Sequence, residues 1–83
     1  MELKEIIKVD LIEITESNII QVRKASIIEK NGVEISRSNH RHVITPIDDI
    51  SGEDIKVQLI ANAIWSKDVI SDYKNQLLIS KNK

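Results

Sequence analysis

The pair Asn31-Gly32 constrains the fold more than any other feature, because it separates two stretches rich in β-branched residues. Both central residues of a two-residue type I′ turn need a positive φ, which Asn tolerates and Gly adopts freely. The sequence therefore predicts a hairpin with strands at about 19–30 and 33–45. Lys30 should lie opposite Val33, and counting outward from that pair sets every later rung of the ladder.

This register decides which side chains share a face of the hairpin. One face holds mostly apolar side chains and should look at the core: Ile20, Val22 and Ile28 with Ile35, Arg41 and Val43. The basic side chains divide, with Lys24, Arg37 and Arg41 predicted on this face and Arg23, His40 and His42 on the other. Glu29 should lie opposite Glu34, a small repulsion that an exposed site tolerates.

A third strand is predicted at about 3–15, ahead of the hairpin. Leu3, Ile7, Val9 and Leu11 alternate with one parity, whereas Ile12 and Ile14 take the other. A switch of parity inside a strand is typical of a β-bulge or of burial on both faces.

Helical signals follow Pro46. Ser51 resembles an N-cap with Asp54 at the third helical position, and apolar residues then recur at helical spacing. Ser66 resembles a second cap. The prediction is therefore a single α+β domain over residues 1–83, with an antiparallel sheet of about three strands (β-β-β). Two short C-terminal helices, at about 52–64 and 67–78, should pack on one face of that sheet.

Composition excludes several kinds of active site. The 83 residues include no Cys and only two Gly, so the chain can form neither a thiolate centre nor a Gly-rich phosphate loop. No nucleophile–base–orienter set occurs either. We expect a non-enzymatic protein without a cofactor. No apolar run approaches the roughly 18 residues of a membrane span, and the first residues do not resemble a signal peptide.

The triplet His40-Arg41-His42 invites a metal hypothesis, since alternate strand residues face the same way. A zinc site of the usual kind needs three or four protein ligands, and Asp48 and Asp49 lie close in sequence. The competing interpretation is a pair of surface or interface histidines, and no metal is predicted. The acids around residue 50 are best explained by the helix start, where the dipole favours negative charge.

The charge distribution suggests a polyanion contact as an alternative. Residues 19–45 carry a net charge of +3 between ends of −3 and −1. A basic middle between acidic ends suits phosphate binding, and it also suits a homo-oligomer that joins unlike surfaces. The candidate polyanion-contact residues are Arg23, Lys24, Arg37, His40, Arg41 and His42.

Several motifs resemble a family of small uncharacterised proteins encoded by tailed bacteriophages, notably marine ones. The resemblance covers about residues 19–75. It rests on Val22-Arg23, Gly32-Val33-Glu34-Ile35, His40-Arg41-His42-Val43, Pro46, the run Asp48-Asp49-Ile50-Ser51-Gly52-Glu53-Asp54, Val57, Ile60-Ala61, Ala63, Trp65 and Tyr73. Relatives often have Gly where this chain has Ile47, a departure at that turn. The family brings no established activity; it implies a phage origin.

The expected function combines the resemblance with an excess of Ile over what a small sheet can bury. We expect a homo-oligomeric structural or accessory component of the virion, with itself and other virion proteins as partners, in the virion or the host cytoplasm. Candidate interface residues are Ile7 and Val9 on the first strand, and Trp65, Val69 and Tyr73 on the helices. The alternative is a small nucleic-acid-binding or host-modulating factor that uses the basic hairpin 21–43.

Overall fold

Three antiparallel strands followed by two helices make up the chain, in a computed structural model that describes residues 2–81. The strands are β1 (Leu3–Ile14), β2 (Ile20–Lys30) and β3 (Val33–Ile44), and they pair in that order. The helices are α1 (Ile55–Ile64) and α2 (Lys67–Lys81). The predicted α+β class and element order are confirmed.

The turn at Asn31-Gly32 has the geometry that its residues favour. Both residues have positive φ, +53° at Asn31 and +83° at Gly32, as a type I′ turn requires. The same turn holds the start of β1, because the backbone N–H of Asn31 donates to the Glu2 carbonyl at 3.0 Å and its Oδ1 accepts from the Glu2 N–H at 3.3 Å.

The predicted hairpin register is correct for two rungs and wrong beyond them. Lys30 pairs with Val33 and Glu29 with Glu34, but an irregularity at Ile35 then shifts the ladder by one residue. Ile28 therefore lies opposite Ser36, Val22 opposite His42, and Ile20 opposite Ile44. The strand from Ser36 to His42 is polar throughout, so no apolar face exists there to fix the register.

The parity switch in β1 is a β-bulge, one of the two explanations that the sequence offered. The pairing with β2 shifts between Val9 and Leu11, so that no residue of β2 lies opposite Asp10 in the backbone register. The bulge lets Val9 and Ile12 both pack toward the core, while Asp10 reaches the opposite side of the sheet.

The core lies between α1 and one end of the sheet. We call the face of the sheet under α1 the helix face and the opposite face the charged face. Ile20, Val22 and Ile44 on the helix face pack with Val57 and Ala61, which occupy adjacent turns of α1. A ten-residue helix is about 15 Å long, whereas a twelve-residue strand extends about 40 Å. Consequently α1 covers only part of its face.

The second helix adds little to this core. Val69, Ile70 and Tyr73 are half-buried, and the remaining described side chains of α2 are exposed. The molecule is correspondingly elongated, measuring 58 × 27 × 20 Å.

The first helix begins three residues later than predicted. Its N-cap is Asp54 and not Ser51, because the Asp54 carboxylate accepts from the Lys56 N–H at 2.9 Å. The preceding acids close the loop instead: Asp48 accepts from the Thr45 N–H at 2.7 Å, and Asp49 from the Ser51 N–H at 2.9 Å. That second bond lowers the pKa of Asp49.

Candidate functional surfaces

Arginines and carboxylates form a connected network on the charged face. Arg23 donates to both oxygens of Asp10, from Nε at 2.9 Å and from Nη2 at 3.1 Å. Arg37 lies between two acids, 3.0 Å from Glu34 and 3.5 Å from Asp10. A more exposed pair, Arg41 and Glu13, is separated by 3.5 Å. Every candidate arginine therefore already has an acidic partner within the chain.

The network shifts the ionisation of its own members. The hydrogen bond from Arg23 is the largest effect on Asp10 and lowers the pKa of that carboxyl, and the same bond raises the pKa of Arg23. Likewise, the hydrogen bond from Arg37 lowers the pKa of Glu34, and that pairing raises the pKa of Arg37. The carboxylates therefore stay ionised into more acidic solution than isolated ones would.

The same network shelters apolar residues that α1 does not reach. Ala25 and Ile27 are 0% and 3% exposed, although they point to the charged face of the central strand. Arg37 lies directly opposite Ile27, and the Asp10 side chain that both arginines hold is itself only 13% exposed. Long arginine side chains cover apolar surface with their methylene groups while the charged ends stay hydrated. These arginines accordingly serve the fold.

The histidines lie on the helix face, together with Lys24. The predicted division of the basic residues is therefore wrong: Lys24, His40 and His42 share one face, and Arg23, Arg37 and Arg41 share the other. The register shift at Ile35 is the cause, since it moves every later residue of β3 by one rung.

The two histidines differ in their surroundings. His42 Nε2 lies 2.8 Å from Oε1 of Glu53, which connects β3 to the loop before α1. His40 is exposed at the next position on the same face. Within residues 2–81, no group of three or more His, Asp and Glu side chains has the arrangement that a metal ion needs.

The candidate interface residues fall into two separate groups. Ile7 is 64% exposed on the helix face beyond the end of α1, and Val9 beside it is half-buried against the core. In the second group, Trp65 donates from Nε1 to the Asn18 carbonyl at 2.7 Å. Val69 and Tyr73 line a shallow depression with the turn between β1 and β2. This second group anchors the helices to that turn, so Ile7 is the freest of the five.

The structure reveals one feature that sequence reasoning did not single out, and it gives the extent of a second, the exposed apolar surface that the excess of Ile predicted. The first is Asp10, the acid shared by two arginines; its position at the parity switch of β1 was the available signal. For the second, twelve large hydrophobic residues are exposed among the residues that the structure describes, against seven residues in the buried core. Those exposed residues are Leu3, Ile7, Ile14, Val33, Ile35, Val43, Ile47, Ile55, Leu59, Leu77, Leu78 and Ile79.

The two edges of the sheet differ in chemistry. From Ser36 to His42, β3 presents only polar and charged side chains, which discourage another strand from pairing with it. Seven of the twelve residues of β1 are apolar, and it contains neither Pro nor Gly. Beyond its pairing with β2, β1 exchanges no backbone hydrogen bond with the rest of the described chain. β1 is therefore the more apolar of the two open edges.

The described helices include none that is both long enough and apolar enough to cross a membrane. Comparison of the chain with models of known protein families, with curated proteins and with solved structures found no match.

Proposed function

We propose that this protein is a non-enzymatic, self-associating component of a tailed-phage particle, structural or accessory in role. The observation that carries the proposal is the number of large apolar side chains that the fold leaves exposed. Soluble monomers rarely expose large contiguous apolar patches, and such patches usually mark contacts with other proteins. The phage origin rests on the resemblance of residues 19–75 to small phage proteins.

The energy available from this surface is substantial for so small a chain. Burying a whole Ile or Leu side chain contributes about 1.5–3 kcal/mol. Ile7 and Leu59 are 64% and 62% exposed, so each would contribute about 1–2 kcal/mol in an interface. A few such residues supply much of the roughly 8 kcal/mol that corresponds to micromolar affinity.

The polar groups that catalysis would use are engaged in holding the fold. Asp10, Glu34, Asp48, Asp49 and Asp54 each accept hydrogen bonds from the backbone or from arginine. His42 is paired with Glu53. These hydrogen bonds within the fold support a role in assembly over one in catalysis.

The nucleic-acid alternative has weaker support. Arg23, Arg37 and Arg41 already contact acids, so a phosphate would have to compete with a carboxylate for each. Binding through these groups would weaken steeply with added salt, because released counterions drive such contacts. Absence of any polynucleotide shift at low salt would eliminate this alternative.

Two measurements test the proposal. Light scattering should give the pure protein a mass at least twice that of one chain, and mass spectrometry should detect it in purified virions. Ile7→Lys should lower the mass toward the monomer. Val43→Lys is the matched control, since Val43 is 58% exposed on the charged face of β3, and it should keep the parent mass. A monomeric parent, or a protein found only in infected-cell lysate and never in particles, would contradict the proposal.

A further inference from the structure

The open edge of β1 has backbone groups that point outward at alternate residues. Glu2 accepts a hydrogen bond from the hairpin turn, so its carbonyl points inward. The backbone N–H and C=O groups of successive residues in a strand point to opposite sides. The groups of Lys4, Ile6 and Lys8 therefore also point toward β2. Leu3, Glu5, Ile7 and Val9 therefore turn their N–H and C=O groups away from the sheet. Their side chains share the helix face.

We propose that this edge pairs with β1 of a second copy, antiparallel about a two-fold axis at Ile7. The inference rests on the proposed self-association and names its contact. The two three-stranded sheets become one sheet of six strands. Outward-pointing residues meet as hydrogen-bonded pairs, Ile7 with its own copy and Glu5 with Val9 of the second copy. Three such pairs add about six backbone hydrogen bonds.

Charge favours this register over the symmetric ones with axes at Glu5, Ile6 or Lys8. An axis at Glu5 places the two Glu5 side chains opposite each other, and an axis at Lys8 does the same for the two Lys8 side chains. An axis at Ile6 places Lys4 opposite Lys8 twice. Like charges in opposed positions destabilise a strand pair. An axis at Ile7 avoids all of these contacts.

The Ile7 register also creates attractive contacts. Lys4 comes opposite Asp10 of the second copy on the charged face, where it would share that carboxylate with Arg23 and Arg37. Ile6 lies opposite Lys8, and the two Ile7 side chains meet on the helix face. Ile7, which is 64% exposed in the single chain, thereby packs against another apolar side chain. Beyond Asp10 the bulge interrupts regular pairing, which limits the ladder to about seven residues on each strand.

Cysteine scanning tests the register directly, because the natural chain contains no cysteine. The four variants are Glu5→Cys, Ile6→Cys, Ile7→Cys and Lys8→Cys, each oxidised mildly and assayed for a covalent dimer. Opposed Cα atoms of a hydrogen-bonded pair are about 5.5 Å apart, within disulfide reach. With the axis at Ile7, the Cα atoms of two copies of residue 6 or 8 are about 8 Å apart, beyond that reach.

We expect Ile7→Cys to form the disulfide dimer and the other three to remain largely monomeric on a non-reducing gel. Preferential cross-linking of a neighbouring position would overturn the register. If no variant cross-links while light scattering shows the parent to be oligomeric, the β1 contact is wrong and self-association stands. A monomeric parent contradicts both proposals.

A charge variant gives an independent check that needs no oxidation. Lys4→Glu would place a carboxylate opposite Asp10 twice per dimer, and we expect the dimer to dissociate about tenfold more readily. Lys4 also lies opposite Glu29 of its own chain, so circular dichroism must show that the variant stays folded. Lys30→Glu is the control, since Lys30 is exposed on the central strand and not on the open edge of β1. Equal dissociation of the two variants and the parent would argue against the Lys4–Asp10 contact.

Discussion

Replacing Val57 with Ala tests how α1 is held on the sheet. Val57 is fully buried against Ile20, Val22 and Ile44. The change removes two buried carbons, a transfer loss of about 1.6 kcal/mol, and the cavity left behind brings the cost to about 2–3 kcal/mol. A chain of this length is expected to be stable by only roughly 4–12 kcal/mol. The variant should therefore lose a large share of its stability.

Urea unfolding followed by the fluorescence of Trp65, the single tryptophan, measures this loss. With an m value of about 1–2 kcal/mol/M, the midpoint should fall by about 1–3 M. Leu59→Ala is the matched control on the same helix, because Leu59 is 62% exposed; its cost should stay within about 0.5 kcal/mol. Both must be measured at one low protein concentration, since association adds to apparent stability. If Leu59→Ala costs as much as Val57→Ala, α1 docks through a different face.

Three further changes address the turn, the network and the helix anchor. Gly32→Ala should destabilise the hairpin by about 1–2 kcal/mol, because φ is +83° there, and the urea midpoint measures it. Asp10→Asn should reduce the amount of folding stability that is lost at acidic pH. The pKa of Asp10 is below its ordinary 3.8 in the folded chain, so its contribution is complete above about pH 5 and is lost as pH falls through the folded pKa. Unfolding of parent and variant at about pH 7 and about pH 3 should show the smaller drop in the variant. Trp65→Phe removes the donor to the Asn18 carbonyl and should cost about 1 kcal/mol, measured by circular dichroism during unfolding.

Local chemistry made the turn and the element order predictable from the sequence. Asn31-Gly32 requires positive φ, and the alternation on either side of it is unambiguous over the first rungs. The parity switch in β1 likewise indicated the bulge, since an alternating apolar pattern cannot change face without an extra residue.

The register beyond Glu29 was not predictable in the same way. β3 is polar from Ser36 to His42, so sliding it by one residue exchanges one polar face for another at little cost in burial. What fixes the observed register is tertiary: Ile44 packs under α1, and Arg37 reaches Asp10 across the sheet. Neither contact can be inferred from the hairpin alone.

The candidate surfaces were also predictable from the sequence only in part. The edge strand and the exposed Ile7 were accessible to pattern reasoning, because β1 is rich in apolar residues and contains neither Pro nor Gly. The pairing of every candidate arginine with an acid was not predictable, since Asp10 and Glu13 lie on β1 and Glu34 contacts Arg37 across the irregularity at Ile35. Trp65 was expected at an interface, yet its indole N–H reaches the Asn18 carbonyl, 47 residues away in the chain.

The mass of the pure protein in solution, measured by light scattering over a range of concentrations, decides whether the chain self-associates. We expect a species of at least twice the 9.5 kDa of one chain, which dissociates on dilution and is weakened by Ile7→Lys. A parent protein that stays at 9.5 kDa at every concentration would show that the exposed apolar surface of β1 does not mediate self-association.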